Sequence, residues 1–221
     1  VQHMSELTST PPHNEQLAHR EPTSDFLLRT AERLFAERGL AAVSLRQIAV
    51  AAGQRQPAVV QYHFGSKDDL VKAIIESRTE VLDARRYELM SGPRLAGLDE
   101  LRRIARAIVI PLVELGSDTH YVRFLANLAA SPRELAEAFS RVDDRHALGR
   151  HSVEDSMSDA LAHLPEPVRN LRNAMVTRLV LDTLAVRNDG HGATDDGMTD
   201  ELFVAHLVEA CVGLLSSPVP A

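Results

Sequence analysis

From about residue 24 almost to its end, the chain repeats apolar residues at three- and four-residue spacing, with no alternating run of useful length. The pattern predicts an all-α protein. Thr23 or Ser24 can cap a first helix with Leu27, Ala31, Leu34 and Phe35 on one face, and Gly39 ends it. Ser44 opens a second helix, and Gln47 three residues on completes a capping box in which each residue satisfies the other's amide. Leu45, Ile48, Ala49 and Ala52 form its apolar stripe, and Gly53 stops it. A third helix is expected from Pro57, which has no N–H to lose in a first turn, to about His63. It is too short to stand alone, so its neighbours must hold it. Gly65 breaks it, and Ser66-Lys67-Asp68-Asp69 caps a fourth helix reaching about Leu89. Further apolar periodic segments are expected at about 98–115, 119–129, 132–163, 166–187 and 199–216. Residues 1–23, with prolines 11, 12 and 22, read as a flexible tail.

Three short helices in under 50 residues match a helix-turn-helix. In the third, Val60 and Phe64 share the side suited to packing, while Ala58, Gln61 and Tyr62 point the other way. A small residue, an amide and a phenol suit a groove better than a core. Alanine permits close approach, glutamine can pair bidentately with adenine, and tyrosine can donate to a phosphate. Charge changes the picture further. The 221-residue chain carries −7 overall, which argues against wholesale coating of nucleic acid. Yet the window from Ser44 to Lys67 holds Arg46, Arg55 and Lys67 and no acid, so subtracting its +3 leaves −10 on the rest. That is a localised basic footprint. The competing reading is an ordinary three-helix cap with chance charges.

Other classes lose ground by inspection. Cys211 is the one cysteine, so neither an internal disulfide nor a multi-cysteine zinc site is expected. His146 and His151 stand about 140° apart around a helix, poor geometry for a metal. No apolar run reaches the roughly 18–20 residues of a membrane span, and residues 1–23 contain no secretory core segment, so a soluble, cytoplasmic protein is expected. There is no phosphate-binding glycine loop and no Gly-x-Ser-x-Gly elbow, so neither an enzyme nor a bound cofactor is expected.

The stretch Ser44-Leu-Arg-Gln-Ile-Ala-Val-Ala-Ala-Gly53, with Gln61-Tyr-His-Phe-Gly-Ser-Lys67 and Leu70, closely resembles the N-terminal domain of TetR-type bacterial repressors. Thr30-Ala-Glu-Arg-Leu-Phe-Ala-Glu-Arg-Gly39 is similar to that family's first helix. The resemblance implies a helix-turn-helix DNA-binding domain over 24–72 and a larger helical domain for effector binding and dimerisation over 73–217. It implies phosphate contacts at Ser44 and Arg46, and base reading at Arg55, Gln56, Pro57 and Ala58 with Gln61 on the same face. Tyr62 and His63 would hold the DNA backbone and Lys67 a phosphate, His63 having a second reading as a buried structural residue. Two departures leave the base-reading register open by about one position: the segment between Gly53 and His63 is one residue longer than the common pattern, and Gln61 replaces a frequent tyrosine.

A single reading head covers few base pairs, so a homodimer on a roughly palindromic double-stranded operator is expected. Two stripes could supply the interface, as the family's last two helices do: Val176, Leu179, Val180, Thr183 and Leu184, and Phe203, Leu207, Ala210, Cys211 and Leu214. Their other reading is burial within one subunit. If the family pattern holds, the middle helices enclose a small-molecule effector pocket. Polar candidates for it are His120, Tyr121, Arg123, Asn127, His146, Arg178 and Asp182. The functional expectation is a ligand-responsive repressor released from its operator by a small molecule. The alternatives are a helix-turn-helix regulator whose C-terminal domain binds a protein partner, and, more remotely, a helical enzyme.

Overall fold

In the computed structural model, which describes residues 23–56, 58–116, 119–143, 147–189 and 198–219, the glycines and caps divide the chain largely where the sequence places them. The helices are α1 (Thr23–Arg38), α2 (Leu45–Ala51), α3 (Val59–Phe64), α4 (Lys67–Met90), α5 (Leu98–Glu114), α6 (Tyr121–Ala129), α7 (Pro132–Ser140), α8 (Leu148–Ala160), α9 (Glu166–Asn188) and α10 (Asp200–Ser216). No strand occurs among the described residues. Gly39, Gly53 and Gly65 close α1, α2 and α3 with φ of 76°, 65° and 79°, a backbone region other L residues rarely adopt.

α1 buries Leu27, Ala31, Leu34 and Phe35 in the packing it makes with α2, α4 and α6. Six residues of α3 persist because Val60 is fully buried in that core and Phe64 packs on its edge. Observed α3 begins two residues after the expected start at Pro57, which lies outside the described residues. α4 then runs unbroken from head to body, burying Leu70, Val71, Ile74, Ile75, Leu82 and Met90. Residue 72, the expected domain boundary, falls inside it.

The body packs α4 on α5 and α8, α5 on α10, and α9 on α6 and α10. α6 sits between α1 and α9, and two reciprocal contacts tie it to the head. Glu32 of α1 accepts the His120 amide at the start of α6 (2.9 Å), and Asn127 of α6 donates to the Phe35 and Ala36 carbonyls near the end of α1 (2.9 and 2.7 Å). Each helix thus satisfies backbone groups the other leaves open.

One expected segment is corrected: the apolar periodicity over 132–163 forms two helices, α7 and α8. The reason lies on α4. The Asp83 carboxylate takes the Gly149 and Arg150 amides (3.0 and 2.8 Å), capping the first turn of α8 from another helix. Gly149 permits the approach, since a Cβ there would stand 2.2 Å from the Asp83 carbonyl oxygen and 2.6 Å from the Tyr87 amide nitrogen.

Candidate nucleic-acid interface and cavity

Ser44 starts α2 with its amide donating to Gln47 Oε1 (2.7 Å) and its hydroxyl accepting the Gln47 amide (3.3 Å). The box fixes the entry to α2 and leaves Arg46 exposed in its first turn. Arg55 and Gln56, in the turn, are exposed as well. On α3 the faces separate as the periodicity implies: Val60 is buried, while Ala58, Gln61, Tyr62 and His63 face solvent. Tyr62 keeps 86% of its surface accessible, too much for any packing role within the subunit. Its ring meets His63 edge-on, with centroids 5.4 Å apart. The buried reading of His63 is thereby set aside.

Lys67 behaves differently from the rest. Its ammonium donates to the Leu40 carbonyl and lies 5.7 Å from the centre of the Phe35 ring, so burial lowers its pKa from the ordinary value. It braces the start of α4 against the end of α1 and is not presented with the arginines. The neighbouring acids are also engaged. Asp69 accepts the Ser66 hydroxyl and amide, hydrogen bonds that lower its pKa, and Asp68 pairs with Arg141 at 3.1 Å. The exposed charge between Ser44 and Gly65 is therefore the pair Arg46 and Arg55, with no acid among them.

Behind α6 lies a cavity of about 410 Å³, walled by Ile108, Leu112, Leu125, Phe139 and Leu181 among apolar groups, and by Arg86, Arg150, Arg178 and Glu154. A recess of about 40 Å³ adjoins it and shares Arg86, Leu125, Phe139 and Arg150. Of the expected effector residues, Arg178 lies on the main wall. It is bound to Asp182 (2.8 Å) and to the Ala126 carbonyl of α6 (3.1 Å). Tyr121 is buried on the recess. The others are corrected in place: exposed His120 gives its amide to Glu32, Arg123 pairs with Asp189, and Asn127 holds α1. His146 lies outside the described residues. Sequence reasoning missed Arg86, Arg150 and Glu154. For Arg86 a signal existed, a cation breaking the apolar stripe Ile75, Leu82, Met90 of α4.

The expected dimer stripes also need correction. Val176, Val180, Leu184, Leu207 and Cys211 are buried within the subunit, where burial pushes the Cys211 thiol pKa up to about 11. Leu179, Thr183, Phe203, Ala210 and Leu214 stay partly or fully accessible. Outward apolar positions the sequence did not single out are Leu171 and Met175 (60% and 47% accessible), with Val186 and Leu202. No helix among the described residues is long and apolar enough to cross a membrane.

Residues 27–74 match the bacterial regulatory proteins of the tetR family. Over 57 residues, 26% of this chain, the sequence is 46% identical to the HTH-type transcriptional repressor Rv3405c of Mycobacterium tuberculosis (strain ATCC 25618 / H37Rv). That match spans only 30% of the relative's length. Among solved structures, AmtR of Mycobacterium smegmatis is similar with a TM-score of 0.53 at 19% identity, over 90% of this chain and 89% of that one. AibR, solved in complex with isovaleryl coenzyme A and operator DNA, is similar with a TM-score of 0.53 at 20% identity, over 90% of this chain and 100% of that one. At such identities the likeness establishes the fold alone.

Proposed function

We propose, because residues 27–74 match the bacterial regulatory proteins of the tetR family, that this chain is a homodimeric repressor of that kind that leaves its operator when a small molecule fills the cavity. The observation that carries the DNA-reading role is the outer face of α3. Ala58, Gln61, Tyr62 and His63 do nothing for the subunit's core and stand beside Arg46 and Arg55 in a stretch without acids. Ser44, Arg46, Tyr62 and His63 would hold phosphates, while Arg55, Gln56, Pro57, Ala58 and Gln61 would read base edges. Lys67, turned inward, would act by positioning α4.

The outward stripe Leu171, Met175, Leu179, Val186 of α9, with Leu202, Phe203 and Ala210 of α10, would form a four-helix bundle with its copy. Coupling would run through α6. Its Leu125 and Ala129 line the cavity, while Asn127 and the His120 amide grip α1. A ligand that prefers a shifted α6 would move the two heads out of register with half-sites one DNA turn apart.

The test is selection of binding sites from a random duplex pool, followed by a band-shift titration at physiological salt. A folded protein that enriches no sequence would overturn the proposal.

A further inference from the structure

Arg86 is the cavity guanidinium without an ion pair: Asp83 and Glu154 lie close enough to favour its charge, but neither bonds it. It lies on the boundary between the main cavity and the recess, and among the described residues it makes no hydrogen bond or ion pair. The nearest candidates are committed elsewhere. Both oxygens of Asp83 hold amides of α8, and Glu154 pairs with Arg150 at 3.6 Å. Arg178 has Asp182. The described wall of the main cavity thus carries three guanidiniums against the single carboxylate of Glu154.

Beside Arg86, Tyr121 is 1% accessible and lines the recess, and its hydroxyl has no hydrogen-bond partner among the described residues. Burial lowers the Arg86 pKa and raises that of Tyr121. At neutral pH the first stays cationic and the second stays a protonated donor. Arg86 is half-buried and open to the chamber, and a cation beside apolar walls with no ion pair of its own gains by receiving an anion.

We propose that the cavity binds an amphiphile with an apolar body and one carboxylate head, the head meeting Arg86 and the Tyr121 hydroxyl at the recess. The inference rests on reading the cavity as an effector site and names the ligand's chemical class. The body fits because the main chamber is walled by Ile108, Leu112, Leu125, Phe139 and Leu181, and its volume falls within the roughly 300–1,000 Å³ of ordinary ligand pockets. A single charge fits because one guanidinium is open. A phosphate monoester would bring about −1.5 to −2 at neutral pH and leave charge unmatched.

Three probes with one body separate the terms: 4-phenylbutyrate, 4-phenylbutan-1-ol and 4-phenylbutylamine, titrated calorimetrically into the full chain. The acid should bind about tenfold or more tighter than the alcohol, and the amine weakest. Arg86→Met should erase the acid's advantage, bringing its affinity to or below that of the alcohol for the same protein. Tyr121→Phe should cost the acid a smaller factor, about three- to fivefold, and serves alone if Arg86→Met does not fold. An alcohol or amine that binds the native protein as tightly as the acid overturns the proposal. So does an Arg86→Met protein that keeps the preference, or binding by none of the three. The effector reading itself fails separately, if no compound in a chemically mixed collection releases the protein from its selected operator.

Discussion

Gly149→Ala tests the packing that shapes the cavity. The new methyl carbon would lie 2.2 Å from the Asp83 carbonyl oxygen, 2.6 Å from the Tyr87 nitrogen and 2.8 Å from Arg86 Cβ. Two of those atoms are backbone in the middle of α4, so they cannot swing aside, and α8 must retreat by about 1 Å to restore ordinary contact. Overpacking of this kind costs roughly 1–3 kcal/mol, and the retreat also stretches the bonds from the Gly149 and Arg150 amides to Asp83. Hydrogen bonds to a charged group contribute about 1.5–3 kcal/mol each. A loss of about 3 kcal/mol is therefore the reasonable minimum. For a chain of this size that lowers Tm by about 6–12 °C. Thermal melts followed by helical circular dichroism, at matched protein concentration because association shifts Tm, read the change directly. A melt within about 2 °C of the native protein would refute the account of how α8 sits on α4.

Four more substitutions have expected outcomes. Arg46→Ala should weaken binding on every duplex and reduce the salt slope by about one, whereas Gln61→Ala should relax preference at one base pair at a cost of about 1–3 kcal/mol; an equal loss on all sequences would remove Gln61 from base reading. Lys67→Met should lower thermal stability by cutting the brace to the Leu40 carbonyl, with the salt slope of DNA binding unchanged; the reverse result would return Lys67 to the phosphates. Met175→Lys, on the outward stripe, should yield a folded monomer by light scattering with DNA affinity lost together with dimerisation, and an intact dimer would place the interface elsewhere.

The head was largely legible because its determinants are local. Gly39, Gly53 and Gly65 and the Ser44 and Ser66 boxes act within a turn, so pattern alone locates α1, α2 and α4 and assigns the outer face of α3. What escaped depends on partners distant in sequence. The break between α7 and α8 is set by Asp83, 66 residues before Gly149, and Lys67 is captured by a carbonyl 27 residues earlier. α9 was ambiguous for another reason. Apolar residues at helical spacing occupy two of its faces, and only packing against α6 and α10 shows that Val176, Val180 and Leu184 turn inward while Leu171 and Met175 turn out. The cavity wall was least legible, since its polar groups come from α4, α8 and α9 and no short stretch displays them together.

The central claim, that the outer face of α3 reads DNA in a paired arrangement, is tested most directly by hydroxyl-radical footprinting on the selected duplex. Two protected patches about one helical turn apart, roughly 34–36 Å, and related by a dyad are expected, with both patches lost in Tyr62→Ala. A single unsymmetrical patch, or protection unchanged in Tyr62→Ala, would contradict it.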